Sequence, residues 1–113
     1  MELADKKCQP CRGGVPPLTQ EEYQPLLKLL QGWEVDAGKR LIRSFVFKDF
    51  AKPMALANDI AEIAETEGHH PDLIVRWGEL KVIMWTHKID GLTESDFVLA
   101  AKIDRAASLC LQS

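Results

Sequence analysis

The sequence predicts an α+β domain in the order αββαββα, with a four-stranded antiparallel sheet covered on one face by helices. Three observations predict it. Apolar residues recur at helical spacing in three segments, they alternate with polar residues in two paired segments, and turns rich in glycine or proline separate the segments. With 113 residues the chain is long enough for one core and too short for two. We therefore divide it into a flexible leader, residues 1–17, and a single domain, residues 18–113.

The first helix is predicted over residues 20–30. Thr19 precedes it and Glu22 follows three residues later, the spacing of a capping box, while leucines give the segment a broad apolar face. Pro25 removes one backbone donor and should kink this helix or delay its regular part. Gly32 should end it.

Two hairpins account for the sheet. Apolar and polar residues alternate on both sides of a glycine-containing turn, first around Gly38 and again around Gly78. The paired strands are predicted at 33–36 with 41–47 and at 73–77 with 80–85.

Each of the remaining helices follows one hairpin. One is predicted over residues 50–66, with Asp49 as its cap and Gly68 as its stop, and the other over residues 94–109, starting at Thr93. Helical spacing of the apolar residues gives each helix one buried face. The predicted core positions are Met54, Leu56, Ala57, Ile60, Ala61, Ile63, Ala64, Phe97, Ala100, Ala101, Ile103 and Leu109.

Helices on one side leave the other face of the sheet uncovered. In this chain that face would carry Ile74, Ile83 and Trp85, which are too apolar to form one hydrated patch. We therefore expect a homo-oligomer, a homodimer or a homotetramer, and the dimer is the smallest symmetric solution.

Composition disfavours several classes of function. The chain is 46% hydrophobic and 27% charged, as ordinary globular proteins are. Its 14 basic and 17 acidic side chains leave a net charge of -3, so no basic field favours direct binding of nucleic acid. No run of residues has the character of a secretory signal or a membrane span. We expect a cytoplasmic protein that does not bind membranes.

The cysteine count fits a reducing compartment, because the three residues Cys8, Cys11 and Cys110 cannot all pair within one chain. Cys8 and Cys11 form a single C-x-x-C motif without the second pair of ligands that a closed zinc site requires. The motif lies in a turn-rich leader, whereas a redox motif is expected beside a βαβ unit. We interpret the leader as a flexible or loosely docked arm, with a metal shared between subunits or with other groups as the alternative.

All three histidines fall between Glu65 and Asp96. His69 and His70 follow the predicted helix stop, where the helix dipole favours imidazolium, and His87 ends the last strand. Unperturbed imidazoles titrate near physiological pH, so such a set can relay protons to a small molecule. Taken singly, each histidine is as well explained by a structural role.

Acidic and aromatic residues extend this set. Glu65 lies four residues before His69, about one helical turn, so its carboxylate can reach the histidines, although a solvated glutamate is the simpler interpretation. Asp96 stands three residues after Thr93 and can cap the last helix. Trp77 either belongs to the sheet or stacks on a flat heterocycle.

A zinc site of three histidines is the competing interpretation, because three imidazoles and a water form a known catalytic arrangement. Adjacent histidines do not converge easily on one ion, and the i, i+4 spacing of many helical zinc sites is absent. We therefore predict no metal at the histidines, and the prediction of no cofactor comes from the family resemblance given next.

The sequence resembles the pterin-4a-carbinolamine dehydratase family over roughly residues 18–107. Residues 32–33, 45–50, 86–87 and 91–94 look like family positions, and Lys88 and Ile89 depart from the family pattern. The active-site signature of that family is matched by Glu65, His69-His70-Pro71, Trp77, His87 and Asp96.

This resemblance implies dehydration of 4a-hydroxytetrahydrobiopterin, the carbinolamine left by aromatic amino acid hydroxylases, to quinonoid dihydropterin and water, as in tetrahydrobiopterin recycling. Hydroxide leaves C4a poorly, so an imidazolium must protonate it while a base takes a proton from the ring. The implied catalytic residues are His69, His70 and His87, and the implied substrate-binding residues are Glu65, Thr86 and Asp96. His69 and His87 would flank the hydroxyl, and His70 would orient the substrate.

The same family includes dimerisation cofactors of a transcription factor and assembly factors of the carbon-fixing enzyme. A protein partner is therefore the alternative function that the resemblance implies.

Overall fold

A computed structural model describes residues 2–9 and 15–112, with side chains up to residue 109. The predicted order αββαββα is confirmed, and two 3-10 turns, Leu3–Asp5 and His87–Ile89, add to it. The helices are α1 (Gln20–Leu27), α2 (Ala51–Glu67) and α3 (Glu94–Gln112), and the strands are β1 (Glu34–Asp36), β2 (Arg40–Val46), β3 (Asp72–Arg76) and β4 (Glu79–Met84).

The four strands form one antiparallel sheet in the order β1-β2-β4-β3. Each predicted hairpin contributes an edge strand and a central strand, so β2 and β4 pair in the middle, with Leu41 opposite Met84. Side chains on one face of these central strands are fully or almost fully buried, including Phe45, Leu80 and Val82. This face meets the helices and forms the core.

The first helix begins as predicted and ends earlier. Thr19 and Glu22 form the capping box in both directions. The helix contains Pro25 and stops at Leu27 rather than residue 30, because the next two hydrogen bonds, from Leu29 to Leu26 and from Leu30 to Leu27, are of the i to i+3 type.

The second helix ends at Glu67, so the adjacent His69 and His70 follow directly after its C-terminal Gly68. Gly68 adopts a left-handed conformation with φ of 67°, and its N–H donates to the Ala64 carbonyl at 2.8 Å. At the other end Phe50 occupies the capping position, and Asp49 accepts the Lys52 N–H at 3.0 Å.

Three predicted core positions are wrong. Met54, Ala61 and Leu109 are exposed, Leu109 by 69%. The buried stripe of α2 instead passes through Pro53, Leu56, Ile60 and Ala64, and that of α3 through Phe97, Ala100, Ile103 and Ala107. Each exposed residue lies one or two positions from a stripe residue, which turns it by about 100° or 200° away from the core.

Part of the leader is docked, whereas its composition left open a flexible or a loosely docked arm. Leu3 and Ala4 in the first 3-10 turn are buried, and Lys102 on α3 donates to the Ala4 carbonyl at 2.8 Å. Cys11, the second cysteine of the C-x-x-C motif, lies outside the described residues. In the described ranges, no helix is both long and apolar enough to cross a membrane.

The uncovered sheet face is apolar in its middle and polar around it. Ile74 is 47% exposed, and Ile83 and its cross-strand neighbour Ile42 are partly exposed. On the same face of these two strands, the next cross-strand pair is Ser44 and Lys81. Thus the face predicted to contain Ile74 and Ile83 is present, and polar side chains interrupt it.

Candidate active site

One cavity of about 460 Å³ contains all three histidines in its lining. The end of α2 supplies His69 and His70, and the segment after β4 supplies His87. The adjacent histidines can both face it because Gly68 ends the helix and Pro71 prevents its continuation, so the chain there is not helical. The fold thus brings together two groups that are eighteen residues apart in sequence.

His69 is held by a buried carboxylate. Its Nε2 lies 2.5 Å from Oδ1 of Asp96, whose side chain is 0% exposed. A carboxylate accepts hydrogen bonds, so this contact places a proton on Nε2. Nδ1 is then the atom through which His69 can accept or donate a proton.

The second oxygen of Asp96 is also fully used. Its Oδ2 accepts the Thr86 hydroxyl at 2.8 Å and the Thr93 N–H at 2.9 Å. Thr86 closes the segment carrying His87, because its N–H donates to the Gly91 carbonyl at 2.8 Å. One carboxylate therefore links the start of α3 to both histidine-bearing segments, and these bonds offset the cost of burying its charge.

His70 has a weaker partner. Its Nε2 lies 2.9 Å from Oε2 of Glu65, and the two side chains are 59% and 78% exposed. A pair so accessible to water contributes roughly 0–1 kcal/mol. The pair therefore orients the His70 ring only loosely compared with the buried contact at His69.

His87 is stacked rather than paired with a carboxylate. Its ring lies 4.3 Å from the Trp85 ring, with an interplanar angle of 15°. The Arg40 guanidinium lies over the same indole, 4.1 Å from its centroid. Since His87 is itself exposed, the stack is the contact that limits its ring orientation.

Exposed ion pairs and a backbone hydrogen bond lie in the turn that carries His87. Arg40 binds Asp90 at 2.9 Å and Lys39 binds it at 3.2 Å, while the Asp90 N–H donates to the His87 carbonyl. The hydrogen bond from Arg40, followed by that from Lys39, lowers the pKa of Asp90, but pairs this accessible to water add little to stability. Behind the turn, a side chain at Gly91 would meet Pro17 at 2.4 Å, so the chain there requires glycine.

Among the side chains described, those of residues 2–9 and 15–109, no three from histidine, cysteine, aspartate or glutamate are grouped closely enough to hold a metal ion. The histidines lie in one cavity without forming such a group. Their described polar partners are instead the carboxylates of Asp96 and Glu65.

Comparison with known protein families shows to which family the chain belongs. The profile of the family described as Pterin 4 alpha carbinolamine dehydratase matches residues 16–106, most of the chain. The chain belongs to this family.

Relatives of the dehydratase family cover nearly the full chain. A Rubrobacter xylanophilus protein is 53% identical over 92% of this chain and 97% of its own length. One from Rickettsia bellii is 57% identical over 90% of this chain and 91% of its own. Both carry the provisional name pterin-4-alpha-carbinolamine dehydratase.

Two solved structures show the dehydratase fold. A Brucella melitensis protein titled a transcriptional coactivator/pterin dehydratase has a TM-score of 0.75 at 35% identity, over 80% of this chain and 98% of its own. A pterin dehydratase-like protein titled a RuBisCO assembly factor has a TM-score of 0.58 at 20% identity, over 68% of this chain and 90% of its own. The second shows likeness of fold alone.

The structure separates the residues of the dehydratase signature by position. Thr86 lines the cavity with the histidines, whereas Glu65 and Asp96 lie behind His70 and His69. Asp96 is completely buried and bonded at both oxygens. The structure therefore shows it holding His69, while the substrate-binding role that the resemblance implies for it stays a prediction.

The structure also changes which tryptophan belongs to the site. Trp77 is 69% exposed at the β3–β4 turn, at the opposite end of β4 from His87, and does not line the cavity. Trp85 does. Trp85 follows β4 directly and stands two residues before His87, and this closeness in sequence was a usable signal.

Two cavity residues come from the leader and have no comparable sequence signal. Cys8 and Gln9 line the cavity, although the family match begins only at residue 16. Glu67, the last residue of α2, accepts a hydrogen bond from the Cys8 N–H at 2.9 Å. Such contacts depend on tertiary packing across 59 residues, which no local pattern indicates.

Proposed function

We propose that this protein dehydrates 4a-hydroxytetrahydrobiopterin to quinonoid dihydropterin and water, as a step of tetrahydrobiopterin recycling. The observation that carries the proposal is the placement of all three histidines on one cavity, with His69 fixed by a buried carboxylate and His87 fixed by a stacked indole. Family membership supplies the pterin as the class of substrate.

The proposed reaction needs two proton transfers. One imidazolium donates a proton to the hydroxyl on C4a, so the C–O bond breaks and water leaves. The proton on N5 passes to a neutral imidazole, and its electron pair forms the C4a–N5 double bond. Protons are thus conserved, and the histidines return to their starting state by exchange with water.

His69 and His87 are assigned to these transfers. His69 exchanges its proton at Nδ1, because Asp96 holds its other nitrogen. His87 has no described carboxylate partner, and the stack with Trp85 orients its ring toward the same cavity. His70, loosely paired with Glu65, is assigned to substrate binding and orientation.

The test is the rate at which 4a-hydroxytetrahydropterin decays in the presence of purified protein. We expect acceleration over the uncatalysed reaction, reduced by about 10²–10⁴-fold in His69→Ala or His87→Ala, the usual contribution of a general acid or base. Lys28→Ala, an exposed residue outside the cavity, is the control and should leave the rate unchanged. A wild-type rate equal to the uncatalysed rate would contradict the proposal.

A protein-binding role is the second candidate, favoured by the uncovered sheet face with Ile74 and Ile83. The Brucella relative, 35% identical, bears the words transcriptional coactivator in its title. We propose that this face is first of all a homodimer or homotetramer contact, as its partly apolar surface suggests.

The assembly is tested by light scattering of the purified chain. Ile74→Asp should lower the measured mass toward that of a 12.7 kDa monomer, because it places a charge in the contact. Val46→Asp changes an exposed position at the edge of the same face and serves to map its extent. A monomeric wild-type protein that captures a different protein in stoichiometric amounts would favour a partner-binding function instead.

A further inference from the structure

Residues 2–9 are fixed to α3 at several points, although they precede the part of the chain matched to the family. Lys102 Nζ donates to the carbonyl of the buried Ala4, and Arg105 binds Asp5 at 2.9 Å. These anchors direct the following residues toward the histidine cavity, which Cys8 and Gln9 line.

Side chains outside the proposed proton transfers hold the end of this segment. Ser95 Oγ accepts the Gln9 N–H at 2.8 Å and donates to the Gln9 carbonyl at 3.3 Å. Glu67 accepts the Cys8 N–H at 2.9 Å. The backbone of residue 9 is thus fixed at both its donor and its acceptor. Ser95 also directly precedes Asp96, so one helical turn positions both this segment and the carboxylate behind the catalytic histidine.

The chemistry of these two residues is that of a binding surface. Burial, with the Glu67 carboxylate beside it, raises the pKa of the Cys8 thiol to about 12. At physiological pH Cys8 therefore presents a neutral thiol and is a poor nucleophile. Gln9 adds an uncharged amide that can donate and accept hydrogen bonds. Such a surface fits a flat, uncharged heterocycle with polar edges better than it fits a phosphate or a carboxylate.

We infer that Cys8 and Gln9 form a substrate-binding wall of the cavity, and that Gln9 is a specificity-determining residue for the pterin. The inference rests on the proposed function and adds a binding element outside the matched family region. Ser95 is a positioning residue that acts through Gln9. Because the wall binds and does not transfer protons, its loss raises KM and the Kd for a pterin while kcat changes little.

Two variants test the wall in different ways. Ser95→Ala removes both hydrogen bonds to residue 9, and Gln9→Trp narrows the cavity without touching those backbone contacts. Ser108→Ala on the same helix and Gln20→Trp on α1 are matched controls, since both positions are exposed and lie outside the cavity. The probe is 7,8-dihydrobiopterin, a stable pterin, with its Kd measured by calorimetry alongside steady-state kinetics.

We expect the Kd and KM to rise about tenfold in each variant and to stay unchanged in the controls. Ser95→Ala frees the backbone of residue 9 from both of its hydrogen bonds, whereas Gln9→Trp removes the amide and fills part of the cavity. Wild-type Kd and KM in both Ser95→Ala and Gln9→Trp would overturn the wall while leaving the dehydratase proposal intact. A wild-type protein that neither binds the pterin nor dehydrates the carbinolamine would overturn both. Should Ser95→Ala unfold, Gln9→Trp decides, because residue 9 is exposed.

Discussion

Replacing Asp96 with asparagine tests the contact on which the proposed proton transfer most depends. Asparagine keeps the size of the side chain but offers one acceptor oxygen and one amide donor. If the oxygen keeps the bonds from Thr86 and Thr93, the amide must face Nε2 of His69. His69 then has to accept at Nε2, so its proton moves to Nδ1, the atom that should face the substrate.

The expected magnitude follows from this change of tautomer. In Asp96→Asn, His69 can no longer act as a base at Nδ1 and its imidazolium form loses the carboxylate, so we expect kcat to fall by about 10²–10⁴-fold. The lost charge-assisted bond at 2.5 Å should lower the free energy of unfolding by about 1–3 kcal/mol. We expect KM to change little, because the Asp96 side chain is buried behind His69.

The same helix offers a matched control. Asp104 also holds partly buried partners, Trp33 Nε1 at 2.8 Å and Arg43 at 2.7 Å, but lies outside the histidine cavity. Asp104→Asn should destabilise the fold without changing kcat. Stopped-flow decay of the carbinolamine gives kcat, and urea unfolding gives stability. A folded Asp96→Asn protein with wild-type kcat, or an equal loss of kcat in Asp104→Asn, would refute the reasoning.

Three further predictions address other parts of the site. Trp85→Leu should lower kcat because His87 loses its stack, and Trp85→Phe should restore most of it; equal rates in the two variants would show that an aromatic ring is not needed. At pH 8, Cys8 should react with iodoacetamide at least about 100-fold more slowly than an unperturbed thiol, because its raised pKa leaves little thiolate. Glu67→Gln should speed this reaction, and mass spectrometry measures the fraction of Cys8 that is alkylated. Treatment with a chelator should leave the dehydration rate unchanged; loss of activity that zinc restores would instead support a metal site.

Local patterns were sufficient to predict the elements of the fold. The capping box at Thr19, the helix stop at Gly68 and the period-two segments around Gly78 each specify structure through neighbouring residues alone. The errors lie where more than one face of a helix carries apolar residues. Met54 and Leu109 are apolar, but the helix angle relative to the sheet decides which stripe is buried, and that angle is a tertiary property.

The candidate site was predictable in its histidines and less so in their partners. The sequence places Glu65 one turn before His69, yet the structure pairs it with His70 because the chain leaves the helix at Gly68. From the residues around it, Asp96 was predicted only to cap the last helix, because its bond to His69 joins residues 27 positions apart in sequence. A cap accounts for one carboxylate oxygen, and only the tertiary fold reveals the partner of the other.

The position of the leader also depends on tertiary packing that its sequence does not show. Its prolines and glycines indicated a flexible or loosely docked arm, and they report only the local preference of the backbone. Docking depends on Leu3 finding an apolar surface on α3 and on Ser95 and Glu67 lying where residues 8 and 9 pass. Glu67 and Ser95 are 59 and 86 residues along the chain from the residues that they bind and form no motif with the leader.

The most direct test of the proposed function is the rate of carbinolamine dehydration by the purified wild-type protein and by its His69→Ala and His87→Ala variants. We predict clear acceleration by the wild type and loss of about 10²–10⁴-fold in each variant, because both histidines line the cavity in which we propose that they transfer protons. A wild-type rate no faster than the uncatalysed reaction, or full activity without either histidine, would contradict it.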